Sequence, residues 1–237
     1  MKFVALLFLL PAMLFGKVHD YKDTKSHGFE NEKLYLLDHR KDAFLFRGNL
    51  PQKDGAFAQK ELHDAMTVYL DKMNIMLPSE YIFVDVSLLN PKKEKKKINI
   101  EKNWFKDSPE KGMFLSHPLR GTHINPCMLN HELRNFLIEK DHVDGLQHLM
   151  TRLNNYMLVR RDIPLVVYVH CAAGVDRTGE ASASYMMQYK GMSFHDAVKL
   201  NDHIAKRPVH YLMMNAIRWY AYYLRDVLHI ETVGEIK

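Results

Sequence analysis

Short uninterrupted apolar runs alternate along this chain with longer stretches whose apolar positions recur every three or four residues. The runs Phe44-Leu45-Phe46, Tyr81-Ile82-Phe83-Val84-Asp85-Val86, Met113-Phe114-Leu115-Ser116 and Pro164-Leu165-Val166-Val167-Tyr168-Val169 predict strands. Asn135-Phe136-Leu137-Ile138 reads as a further strand, and residues 118–126 as a loop. Helical spacing appears in Leu62, Met66, Tyr69, Leu70 and Met73, and again after Gly145 in Leu146, Leu149, Met150, Leu153, Tyr156 and Met157. A helix running to about Tyr189 is stopped by Gly191. Ser193-Phe194-His195-Asp196 forms a capping box that starts the next helix, and Pro208 opens the last. Strands first and helices clustered later predict an α/β domain.

The two ends of the chain behave differently. Met1-Lys2 followed by an apolar core up to Gly16 predicts a signal peptide over 1–16, with an uncleaved anchor as the alternative. Residues 17–40 are polar and punctuated and predict a leader that partly wraps the domain, which then spans 41–237. No other apolar stretch is long enough to cross a bilayer. With 47% hydrophobic and 26% charged residues the composition is globular, and a formal charge of +5 suits an anionic partner without pointing to nucleic acid. The run Pro91-Lys92-Lys93-Glu94-Lys95-Lys96-Lys97 reads either as a basic rim or as a solvated loop.

The chemistry concentrates in His170-Cys171-Ala172-Ala173-Gly174-Val175-Asp176-Arg177-Thr178-Gly179, between the last strand and the helix after it. Five residues between Cys171 and Arg177 can curl so that Ala172 to Asp176 point their N–H groups at one anion. A helix beginning near Thr178 adds the positive end of its dipole, and both effects favour thiolate over thiol. Gly174 permits positive φ at the tightest point, and Gly179 lets the helix pack close to the strand. Arg177 offers a planar fork for two phosphoryl oxygens. Thr178 can hydrogen-bond the sulfur, and His170 fixes the loop from behind. The pattern predicts a phosphate loop with a nucleophile in it.

These residues resemble the signature of the cysteine-dependent phosphatases of the protein tyrosine phosphatase superfamily: His-Cys, five residues, then Arg-Thr/Ser-Gly. The resemblance implies a central sheet of four or five strands flanked by helices, and hydrolysis through a cysteinyl-phosphate. Phe46-Arg47-Gly48-Asn49-Leu50-Pro51 is loosely similar to the passage that begins the catalytic domain in many relatives, and Val84-Asp85-Val86-Ser87 to a strand that often ends in arginine.

Such a reaction needs a general acid, and the superfamily's usual Trp-Pro-Asp does not occur here. Asp141 is the first candidate, thirty residues before Cys171. Its string Asp141-His142-Val143 resembles the acid loop of the phytase-like branch, although Ala172 and Asp176 depart from that branch's loop. Asp176 is the second, since an Asp just before the signature Arg resembles the bacterial secreted phosphatases and the myotubularins. The bland alternatives are a helix cap for Asp141 and a loop pin for Asp176.

No cofactor is implied, and the fourteen histidines show no metal-binding spacing. The two cysteines, Cys127 and Cys171, read as free thiols. The expected partner is a phosphorylated substrate, either a phosphotyrosine protein or an inositol phosphate or phosphoinositide. Contact with a membrane is expected only through an uncleaved signal or a phosphoinositide, and the location implied is exported. The rival reading is an inactive module that captures phosphorylated partners.

Overall fold

A computed structural model describes residues 28–139 and 145–237. Its centre is a five-stranded sheet built from β1 (Tyr35–Arg40), β2 (Ala43–Gly48), β5 (Ile82–Ser87), β6 (Gly112–Ser116) and β7 (Leu165–His170), in the order β1-β2-β7-β5-β6. Strand β1 is antiparallel to β2, and the other four run parallel. A two-stranded ribbon, β3 (Gln52–Lys53) with β4 (Ala56–Phe57), lies outside the sheet. The helices are α1 (Gln59–Asp71), α2 (Lys95–Asp107), α3 (His131–Glu139), α4 (Leu146–Leu158), α5 (Asp176–Lys190), α6 (Phe194–Ala205) and α7 (Tyr211–Tyr222). The architecture is α/β, a central sheet flanked by helices, as expected.

The uninterrupted apolar runs follow from this layering, because a parallel strand covered on both faces has no polar side. Along β7, Val166 and Tyr168 face the layer of α1 and α2, where Leu62, Met66, Leu70 and Phe105 meet them. Val167 and Val169 face the opposite layer, against Leu149, Leu153, Tyr185, Met187 and Ile217. Helix α5 lies in the middle of that second layer, and its first twelve residues are all buried. Among the described residues no helix is long and apolar enough to cross a membrane.

The structure changes several sequence expectations. The stretch 17–40, expected as a leader ahead of the domain, contributes Tyr35–Arg40 to the central sheet as edge strand β1. Leu34 and Leu37 are buried in the core, and Asp38 is buried and bonded to Tyr185 (2.7 Å) and Lys190 (2.6 Å), which together dock this segment. Residues 1–27, with the expected signal peptide, lie outside the described residues. Asn135-Phe136-Leu137-Ile138 is helical, within α3, where Arg134 and Ile138 are buried one turn apart. Asn130 starts that helix by accepting from the Leu133 N–H at 2.9 Å. The lysine run hides the start of α2, whose buried side is Ile98, Glu101 and Phe105. The last helix opens at Tyr211, not Pro208, with the His210 imidazole as its cap. Ser193 caps α6 by accepting from the Asp196 N–H at 3.1 Å, as the capping box predicts.

Candidate active site

Strands β5, β6 and β7 are parallel, so their carboxyl ends share one edge of the sheet, where the chain leaves β7 at His170. The turn from β7 into α5 carries Cys171 to Val175, every residue of it buried, and Arg177 follows in the first turn of α5. Helix α5 starts at Asp176, two residues earlier than expected. Its free N–H groups therefore open directly onto the loop. Gly174 has φ +66, and a Cβ there would come within 2.8 Å of the Asn49 nitrogen and the Gly48 carbonyl oxygen. Only glycine satisfies both constraints.

The strand end after β2 braces the loop from below. The Leu50 N–H donates to the Ala172 carbonyl at 3.3 Å, and the Tyr168 hydroxyl to the Asn49 carbonyl at 2.7 Å. Thr178 donates to the Gly48 carbonyl at 3.3 Å, so its hydroxyl ties helix to strand instead of resting on the sulfur. Gly179 gives room to α6, not to the strand: a Cβ there would meet the Asn201 side chain at 2.5 Å. Arg47, fully buried on β2, donates to the Gly174 carbonyl and to Asn201 Oδ1.

The two charged residues of the loop are both held. Arg177 donates from Nη1 and Nη2 to the two carboxylate oxygens of Glu94, at 2.6 and 3.1 Å, and from Nη1 to the Leu88 carbonyl at 3.2 Å. Burial pushes the Glu94 carboxyl up, but Arg177 and the Asn90 N–H outweigh it and hold it below the usual carboxylate range. Glu94 thus holds the guanidinium in place, with both Nη groups on its carboxylate. Asp176 accepts from Arg207 Nη1 and Nη2 at 3.0 and 2.6 Å and from the His210 N–H at 2.8 Å. Both of its oxygens are engaged, which is the geometry of a loop pin.

Behind the loop lies a wholly buried trio. His170 Nε2 sits 2.9 Å from Asp85 and 3.8 Å from Glu101, and its Nδ1 is 3.4 Å from the Cys171 carbonyl oxygen. Burial pushes the imidazole down, yet the two carboxylates prevail and raise it to about 9. Burial pushes the Glu101 carboxyl well up, reinforced by Asp85. His170 does stand behind the loop, as expected. The three donor atoms lie within 4.8 Å of one another, a set a small cation could use. With Glu101 kept protonated by its burial, the imidazolium balances the Asp85 carboxylate and the trio is neutral without one.

Asp141 lies outside the described residues. Gly145, just after it, would place a Cβ 3.4 Å from the His117 ring, and His117 directly follows the carboxyl end of β6. Cys127 and Cys171 are both free, and Cys127 lies 3.8 Å from the Tyr222 hydroxyl. Sequence reasoning missed Glu94, Glu101 and Arg207 as supports of the site. Glu94 had a signal in its spacing from Asn90: the Asn90 N–H donates to Glu94 Oε2 at 2.7 Å, while the Asn90 side chain accepts from the Lys92 N–H at 2.9 Å. Arg207 had none.

No protein-family model matches this chain, and no curated protein matches it by sequence. Among solved structures it is similar to Tk-PTP in its active form, at 13% identity and a TM-score of 0.45, covering 78% of this chain and 94% of that one. It is also similar to TpbA of P. aeruginosa, at 16% identity and a TM-score of 0.45 over 85% and 91% of the two chains. Human DUSP28 is similar at 15% identity and a TM-score of 0.41 over 79% and 92%.

Proposed function

We propose that this chain is a metal-independent phosphomonoesterase that works through a cysteinyl-phosphate, in the manner of the protein tyrosine phosphatase superfamily. One observation carries the reading. Cys171 and Arg177 bracket a closed, buried loop at the start of α5, and ion pairs from Glu94 and Arg207 hold the two charged residues of that loop in place.

The Cys171 thiolate attacks phosphorus as the ester P–O bond breaks. The loop N–H groups and Arg177 hold the transferring oxygens, and the general acid gives its proton to the leaving oxygen. The same group, now a base, takes a proton from water as water attacks phosphorus. The P–S bond breaks, phosphate leaves, and the thiolate is restored. Asp141 is the proposed acid. Asp176, with both oxygens on Arg207 and the His210 N–H, is proposed as a positioning residue.

The substrate proposed is a phosphotyrosine protein or an inositol phosphate or phosphoinositide. Small neutral side chains at Ala172, Ala173 and Val175 favour the first. The lysines flanking Glu94, which reaches Arg177, favour a more highly charged ester. Residues 1–16 are proposed to export the chain. The engagement of Asp176 keeps a second reading open, in which the fold captures phosphorylated partners without turnover.

Rapid acid quench of the enzyme with a 32P-labelled aryl phosphate separates the two. The first reading predicts label on Cys171, accumulating in Asp141→Asn, where removing the base slows hydrolysis. Reversible binding with no covalent label in either protein supports capture and overturns catalysis.

A further inference from the structure

Arg47 is fully buried, yet its hydrogen bonds go to neutral oxygens, the Gly174 carbonyl and Asn201 Oδ1, while its Nε has no hydrogen-bond partner. An unpaired guanidinium in the interior is expensive, and proteins supply such a charge with an opposite one. Three other charged groups around the loop have matching charges. Arg177 of α5 pairs with Glu94, and Asp176 with Arg207 from beyond α6. His170 of β7 pairs with Asp85 of β5, beside Glu101 of α2. Glu180 is buried one turn along α5 from Asp176.

Two titratable groups act on Arg47, Cys171 and Tyr168. Burial raises the Tyr168 phenol far above its ordinary range, so it stays neutral. That leaves the sulfur. Register agrees: Arg47 lies beside Val169 in the parallel pairing of β2 with β7, two residues before Cys171. Leu45 and Val169 share with Cys171 the face of the sheet that packs on α5. Burial lowers the guanidinium to about 10, which still leaves it charged at neutral pH.

We infer that Arg47 is the counter-charge of the Cys171 thiolate, a positioning cation beneath the loop that holds the nucleophile ionised while Arg177 serves the phosphoryl oxygens. The two cations come from different elements: Arg47 reaches the Gly174 carbonyl of the loop from β2, and Arg177 stands in the first turn of α5 beside Glu94. The inference rests on the reading of Cys171 as nucleophile, and it makes Arg47 necessary for the ionisation of that sulfur.

The test is the pH profile of iodoacetamide alkylation of Cys171, in a Cys127→Ser background so that one thiol reports. Alkylation reads the sulfur whether or not phosphate is released. Absent turnover would therefore count against the proposed function alone, and an unmoved profile against this inference alone. Arg47→Met should move the profile to higher pH by about one unit or more, a roughly tenfold loss of thiolate near neutrality. Arg47→Lys should restore most of that shift, which a purely structural role would not do. Asn201→Asp leaves Arg47 in place but gives it a carboxylate, and it should move the profile upward as well. That isosteric variant decides the matter alone should Arg47→Met fail to fold. Unmoved profiles in the folded variants overturn the inference.

Discussion

Asp141, proposed as the acid, and Asp176, proposed as a positioning residue, are separated by how each variant responds to the leaving group. Asp141→Asn should lower kcat about 10²- to 10⁴-fold on an ester with a poor leaving group, and much less on p-nitrophenyl phosphate, whose leaving group needs no proton. Asp176→Asn should lower thermal stability through the lost pairing with Arg207 and show no such dependence on leaving group. A leaving-group dependence in Asp176→Asn and not in Asp141→Asn would reverse the assignment. Gly174→Ala brings positive φ and two contacts of 2.8 Å with backbone atoms. It should cost at least about 1 kcal/mol, seen as a fall in Tm of about 2–4 °C per kcal/mol. At this scale the turn glycine was legible, since the positive φ at Gly174 needs its residue type at that place between Cys171 and Arg177. Arg207 was not, because its only sign is a contact with Asp176 made across thirty-one positions of chain.

Three elements meet at the trio behind the loop: β5 brings Asp85, α2 brings Glu101 and β7 brings His170. His170 is raised to about 9 in the folded protein and ordinarily titrates near 6.5. Its stabilisation is complete below about pH 6.5 and is lost as pH rises through about 9. Glu101, raised by burial, acts in the same direction, because the folded state keeps a proton that the unfolded state gives up. Thermal unfolding should therefore lose Tm between pH 7 and 9, and Glu101→Gln, which cannot titrate, should flatten that decline. A steeper decline in the variant would contradict this account of the trio. Asp85→Asn strands the imidazolium and should cost about 3–5 kcal/mol. The strands were legible here as apolar runs. Helix α2 was not, because its buried stripe of Ile98, Glu101 and Phe105 includes a carboxylate and is set among lysines. The run at Asn135 to Ile138 was misread because four apolar-rich residues fit a strand and a helix turn equally well.

Across the whole molecule, the sheet order sets where chemistry can occur. Strand β7 lies between β2 and β5, so the loop that follows it receives braces from both neighbours, from Gly48 to Leu50 on one side and Leu88 on the other. Fold class was legible from the order of runs. The edge position of β1 was missed: its short apolar run Leu34-Tyr35-Leu36-Leu37, which buries Leu34 and Leu37, is set in a polar stretch and ends in the buried charge of Asp38. The central claim is that this scaffold performs thiol-based phosphoryl transfer without a metal. Its most direct test is phosphate release from p-nitrophenyl phosphate by residues 17–237, with reductant and EDTA, beside the same protein carrying Cys171→Ser. The account predicts turnover in the parent that EDTA leaves intact, and none in the variant. Turnover that survives Cys171→Ser, or that EDTA abolishes, would contradict it.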